Sequence, residues 1–144
     1  MMQRPEKTCA GRTPMSPENR CSRVVIADDH PSVLVGFARL LQSSCDIVAS
    51  VPNGEQAVDA VLRHRPDVLI VDLMMPDLDG LEVCRRVKQL VPETAVIIVT
   101  AFDDTHVQTV AMEAGAAAFV PKHSAAGALE RTVQRLVAER QRQA

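Results

Sequence analysis

Tryptophan and tyrosine are absent from the 144 residues, and phenylalanine occurs only as Phe37, Phe102 and Phe119. A chain so poor in rings offers no stacking platform for single-stranded nucleic acid, and a net charge of −2 offers no basic groove. No nucleic acid is expected to bind. No apolar run approaches the roughly 18 residues that cross a bilayer, and the amino terminus has no signal-type apolar segment of about 7 to 15 residues. The expectation is a cytoplasmic protein without membrane contact. The cysteines, Cys9, Cys21, Cys45 and Cys84, include no C-x-x-C pair. Zinc needs closely spaced ligands, so reduced structural thiols are expected; a Cys9–Cys21 pair is the alternative, with nothing to support it.

What is there suffices for one folded unit. The chain is 47% hydrophobic and 24% charged, near the average for globular domains, and its length is that of one domain. Residues 1–22 hold Pro5, Pro14 and Pro17 without a hydrophobic period, which predicts an unstructured tail. Met15 is an alternative start within it. From Arg23 the texture changes to short β-branched runs, each followed by helical spacing, five times over. The strands are expected at Val24–Ala27, Ile47–Val51, Val68–Val71, Ala95–Val99 and Ala117–Val120. The helices are expected from Pro31 to Gln42, from Gly54 to before Pro66, from Leu81 to Leu90, from Asp104 to Ala114 and from Ser124 to Arg140. The domain thus runs over 23–140, with a short tail at 141–144. Right-handed crossovers then give an α/β flavodoxin-like (βα)5 sandwich of three layers with strand order 2-1-3-4-5. Its ligand crevice lies at the carboxyl ends of strands 1 and 3.

The residues at those strand ends are the ones that carry chemistry. Strand 1 ends in Asp28-Asp29, strand 3 in Asp72, strand 4 in Thr100-Ala101, and Lys122 follows strand 5. Each has an ordinary reading: Asp29 as a cap for the helix at Pro31, Asp72 as a turn residue, Thr100 as a β-former, Lys122 as surface. Together, however, three converging carboxylates repel one another unless a cation sits among them. Hard oxygen donors in a partly hydrated cluster suit Mg²⁺. The Thr100 hydroxyl and Lys122 ammonium add donors for phosphoryl oxygens. This pattern predicts a phosphoryl-transfer centre with a carboxylate nucleophile. Asp28-Asp29-His30-Pro31 is acidic and rigid where a nucleotide or flavin site wants a glycine-rich loop.

The stretch from Val24 to Val137 resembles the receiver domains of two-component response regulators. The resemblance rests on V-V-I-A-D-D-H, L-I-V-D-L-M-M-P-D-L-D-G, the V-T-A after strand 4 and the F-V-P-K at strand 5. It implies that Asp72 is phosphorylated by a histidine kinase or phosphotransfer protein. It further implies that Asp29, Asp72 and the carbonyl of Met74 bind Mg²⁺ directly and Asp28 through water. Thr100 and Phe119 would form a switch pair, and Lys122 would ion-pair the phosphoryl group. Such a domain is a phosphoacceptor switch rather than an enzyme on external substrates. When Asp72 gains a phosphoryl oxygen, Thr100 moves inward and the Phe119 ring fills the space it leaves, reshaping the face of helix 4, strand 5 and helix 5. That face carries Arg131, Arg135 and Arg140 against Asp103, Asp104 and Glu113, which suggests a homodimer on phosphorylation.

The D-D-H-P start and the P-K-H-S corner are most similar to NarL/FixJ-type receivers. Many receivers follow the strand-5 lysine with a cis proline, whereas here Pro121 precedes Lys122, and its bond is expected trans. Receivers of this type usually carry a helix-turn-helix domain, and no DNA-reading element is expected between Ala138 and Ala144. Two competing functions fit the sequence less well. A phosphatase of the haloacid-dehalogenase kind needs a second acid two residues after its aspartate, where this chain has Met74. A degenerate receiver serving only as a binding module is disfavoured by the complete acid, threonine and lysine set.

Overall fold

The computed structural model describes residues 21–101 and 104–143, with side chains through Arg140. Nearly all of the expected amino-terminal tail, together with Phe102 and Asp103, lies outside the described residues. The elements alternate as β1 (Ser22–Ala27), α1 (Pro31–Leu41), β2 (Cys45–Val51), α2 (Gly54–His64), β3 (Val68–Asp72), α3 (Gly80–Leu90), β4 (Ala95–Thr100), α4 (Thr105–Glu113), β5 (Ala118–Pro121) and α5 (Ala125–Gln143). A 3-10 turn over Lys122–Ser124 joins β5 to α5. The strands form one parallel sheet in the order β2-β1-β3-β4-β5, as expected.

Local chemistry sets the boundaries. Pro31 occupies the first turn of α1, where its missing N–H costs nothing. Asn53, Asp79 and Asp104 cap α2, α3 and α4 with their side chains, accepting from the N–H groups of Gln56, Glu82 and His106. α2 stops before Pro66, whose ring excludes the helical conformation from Arg65; Arg65 is left-handed instead, with φ 48°. Gly115, at φ 107°, follows the end of α4. The peptide bonds of the described residues are all trans, Val120–Pro121 included. Pro121 pairs from β5, an edge strand, where a missing donor is tolerated.

Alternate residues of the inner strands feed two cores. Val25, Ala27, Leu69, Val71, Val96 and Ile98 pack with the inner faces of α2, α3 and α4. Val24, Ile26, Val68, Ile70, Ile97 and Val99 pack with Phe37 and Leu41 of α1 and Leu129, Val133 and Leu136 of α5. Each such aliphatic side chain contributes about 1.5 to 3 kcal/mol by leaving water. The sheet is therefore a stiff plane, and its carboxyl edge is the platform for the site.

Three expectations are corrected. β2 begins at Cys45 rather than Ile47, because Cys45 and Asp46 pair with Ser22 and Arg23 although Asp46 breaks the apolar run. α5 continues to Gln143 instead of ending at Arg140, since no glycine or proline interrupts the tail expected at 141–144. Arg140 helps fix that end, its Nη1 lying 3.2 Å from Asp67 Oδ1. Finally, not all cysteines are reduced: Cys21 is disulfide-bonded. Cys45 and Cys84 are buried, reduced thiols, as expected. Burial pushes the Cys84 thiol up to about 11, which keeps it protonated and unreactive. Among the described residues no helix is long and apolar enough to cross a membrane.

Candidate functional site

Strand register brings the site together. Ala27 lies opposite Val71, so Asp28 and Asp72 emerge side by side from β1 and β3. Asp72 lies opposite Val99, placing Thr100 one step further along β4, and Thr100 lies opposite Pro121, the residue before Lys122. The polar groups here are deeply set: Asp28 is 1%, Asp72 4% and Thr100 0% exposed. Lys122 reaches over them, with Nζ 3.1 Å from Asp28 Oδ2 and 3.5 Å from Asp72 Oδ2.

Burial raises the pKa of Asp72 above the ordinary carboxylate value, and the charge of Asp28 raises it further. Lys122 and a hydrogen bond from the Met74 N–H oppose both without cancelling them. Burial of Lys122 favours its neutral form, but Asp28 and Asp72 outweigh this and its pKa is raised. The lysine therefore stays cationic beside the carboxylates. The backbone N–H of His30 donates to Asp28 Oδ1 at 2.9 Å, and its ring Nδ1 sits 3.1 Å from Asp28 Oδ1 and from Asp29 Oδ1.

Two buried carboxylate oxygens, Asp28 Oδ2 and Asp29 Oδ1, have no hydrogen-bond partner. Lys122 Nζ lies 3.1 Å from the first and the His30 ring Nδ1 3.1 Å from the second. Unpartnered buried carboxylate oxygens are costly. Ligand atoms of Asp28, Asp29, His30 and Asp72 all lie within 4.8 Å of one another. The three carboxylates of this set are hard oxygen donors that fit a small divalent cation, which would give both orphaned atoms a partner.

The structure thus brings Asp28, Asp29, Asp72 and Lys122 into one cluster, with Thr100 buried at the neighbouring strand end. Asp29 is not the cap of α1; that position belongs to His30, which makes no side-chain cap bond. Phe119 is half-buried on β5 and packs on the core that also takes Val107 and Ala114. Met74 is exposed. The charged face expected to form a dimer is partly spent within the chain. Arg140 is bound to Asp67, Arg135 lies 3.7 Å from Glu139, and Asp104 accepts from the His106 N–H at 2.7 Å; Asp103 lies outside the described residues. Sequence reasoning missed two residues: His30, which bridges the acidic pair, and Asp77, which binds the start of α2.

A doubly wound sheet whose crevice holds clustered carboxylates beneath a lysine defines a phosphoacceptor class of α/β domain. Residues 24–134 match the family model of the response regulator receiver domain, and the chain belongs to that family. Its curated relatives include the oxygen regulatory protein NreC of Staphylococcus epidermidis, 40% identical over 105 residues that make up 71% of this chain and 48% of that protein. The response regulator MprA of Mycobacterium avium is 34% identical over 100 residues, 69% of this chain and 44% of that protein. The chain spans about half the length of the curated relatives it matches. Among solved structures, the signal receiver domain of the response regulator NarL from Mycobacterium tuberculosis superposes with a TM-score of 0.79 at 30% identity, covering 83% of this chain and 98% of that one. The BeF3-activated DrrB receiver domain gives 0.75 at 28% identity, covering 83% and 99%.

Proposed function

We propose that Asp72 accepts a phosphoryl group from a histidine kinase or phosphotransfer protein in a Mg²⁺-dependent reaction, and that the domain passes this state on through the α4–β5–α5 surface. The observation that carries the reading is the pair of orphaned oxygens on Asp28 and Asp29 beside Asp72 and Lys122. Asp28, Asp29, Asp72 and the Met74 carbonyl would hold the cation. When bound, it withdraws charge from phosphoryl oxygens and offsets carboxylate repulsion.

An Asp72 carboxylate oxygen attacks the phosphorus of the donor's phosphohistidine. An O–P bond forms as the P–N bond breaks, and the imidazole leaves with a proton from solvent. Lys122, held cationic at the lip, pairs with the incoming phosphoryl group. Thr100 supplies a hydroxyl that follows that group inward, and Phe119, half-buried on the neighbouring strand, moves into the space left. The domain resides in the cytoplasm alongside its kinase. An activated form of DrrB carrying a beryllofluoride supports the reading, because that ion mimics a phosphoryl group on a carboxylate. NreC and NarL are named as regulators, and transcriptional control is the output proposed for this domain.

Incubation with acetyl phosphate and Mg²⁺ should add the mass of one phosphoryl group to the wild type and none to Asp72→Asn, read by intact-mass spectrometry. Asp29→Ala should lose both Mg²⁺ binding and the mass gain. An equal gain in Asp72→Asn would overturn the assignment.

A further inference from the structure

The loop between β3 and α3 carries Met74 one residue beyond Leu73 and is pinned at both ends. The Leu73 N–H donates to Val99 O at 3.0 Å, and the Gly80 N–H donates to Leu73 O at 2.8 Å. In between, the loop reaches across to a different helix. Asp77 Oδ1 accepts from the Gly54 N–H and Oδ2 from the Glu55 N–H, each at 3.0 Å. These are the first N–H groups of α2, which has its own cap in Asn53, bound to the Gln56 N–H at 2.9 Å.

The contact between loop and helix is close as well as polar. A Cβ on Gly54 would meet Leu78 Cβ at 2.7 Å and Val83 Cγ2 at 2.9 Å, so only glycine lets the loop lie against the helix start. Asp77 is an exposed side chain, yet both its oxygens are engaged. Partial desolvation pushes its pKa up, but the backbone N–H bonds from Glu55 and Gly54 together outweigh this and lower it. The carboxylate is therefore ionised when it grips α2.

We propose that Asp77 is a positioning residue for the phosphoacceptor site: its double bond to the start of α2 holds the Leu73–Asp79 loop, and with it the Met74 carbonyl, ready for the cation. This rests on the reading of Met74 as a metal ligand. Asp77 itself touches neither cation nor phosphoryl group. A plain helix cap would strengthen α2 alone; a positioning residue also sets the affinity of a site on another element.

The two roles separate by comparing Asp77→Ala with Asn53→Ala in the full chain. Both remove a cap from α2, so both should lower the melting temperature of the metal-free protein. Asp77→Ala alone should weaken Mg²⁺ binding in calorimetric titration by about tenfold, the low end of the loss when an outer partner of a metal site is removed. It alone should also speed amide exchange at Leu73 to Met75 without Mg²⁺. Asp77→Asn, which keeps one acceptor oxygen, should fall between and covers the case in which alanine does not fold. Equal Mg²⁺ affinity in Asp77→Ala and wild type, or an equal loss in Asn53→Ala, would overturn the proposal. Wild type that binds no Mg²⁺ would overturn the site reading and this proposal's metal role, while faster loop exchange in Asp77→Ala would still place the loop under Asp77.

Discussion

Asp72 works against folding when it is ionised, and that follows from where it sits. Its folded-state pKa is raised by burial and by Asp28. Its contribution to stability is therefore fully present below the unfolded value of 3.8 and is lost as pH rises through the higher folded value. Asp72→Asn keeps the size and removes the ionisation. Without Mg²⁺, the variant should melt higher than wild type at neutral pH, with the gap closing as pH falls toward the ordinary carboxylate range, as scanning calorimetry would show. Added Mg²⁺ should reverse the order by stabilising the wild type, by about 1.4 kcal/mol at tenfold excess over Kd. A wild type that already outlasts the variant without metal would mean that Lys122 compensates the charge in full. The acids themselves were legible in the sequence, because each closes a β-branched run. Their partners were not. Asp77 meets Gly54 across 23 positions, and His30 turns back on its own neighbours, so neither leaves a periodic trace.

At the scale of the element, periodicity located every strand and helix, because alternate strand residues and one helix stripe have to enter a core. It failed at Cys45–Asp46, where backbone pairing extends β2 past a charged side chain, and at the end of α5, where a polar sequence stays helical. The glycines show what periodicity cannot report. Gly36 in α1 and Gly127 in α5 are exposed, and a Cβ on either would meet nothing within 4 Å. Gly36→Ala and Gly127→Ala should each stabilise the fold by about 0.5 to 1 kcal/mol, since alanine restricts the unfolded chain at no steric cost. Gly80 stands at the start of α3. There, however, a Cβ would lie 2.6 Å from Asp72 O and 2.9 Å from Leu73 Cα. Gly80→Ala should destabilise by about 1 to 3 kcal/mol, the cost of forcing atoms into a packed place, and should slow phosphorylation by shifting the backbone of Asp72. Urea denaturation of the three variants decides the matter; a Gly80→Ala protein as stable as wild type would show that the loop yields freely.

For the molecule as a whole, the question is how an event at Asp72 reaches a surface. The two cores and the sheet between them are close-packed, so change is cheapest where packing is incomplete. That condition is met on the side of β5. β5 is an edge strand of four residues, Phe119 on it is half-buried, and a 3-10 turn carrying Lys122 joins it directly to α5. The far end of α5 is held instead, with Arg140 bound to the carboxylate and carbonyl oxygens of Asp67. A phosphoryl group that draws Lys122 and Thr100 should therefore loosen or repack β5, the turn and the adjoining ends of α4 and α5, while the carboxyl end of α5 stays fixed. Charge pairing between two copies is a weaker route, because Arg135, Arg140 and Asp104 are engaged within the chain and exposed ion pairs add little. With beryllofluoride and Mg²⁺, amide exchange should change by about tenfold, a shift near 1.4 kcal/mol, over Ala118–Ser124 and the neighbouring turns of α4 and α5. Exchange near Arg140 should stay as it was, and the response should survive high salt, since it is carried by packing rather than by surface charge. Changes confined to α1 and α2 would show that the signal leaves Asp72 by the other side of the sheet.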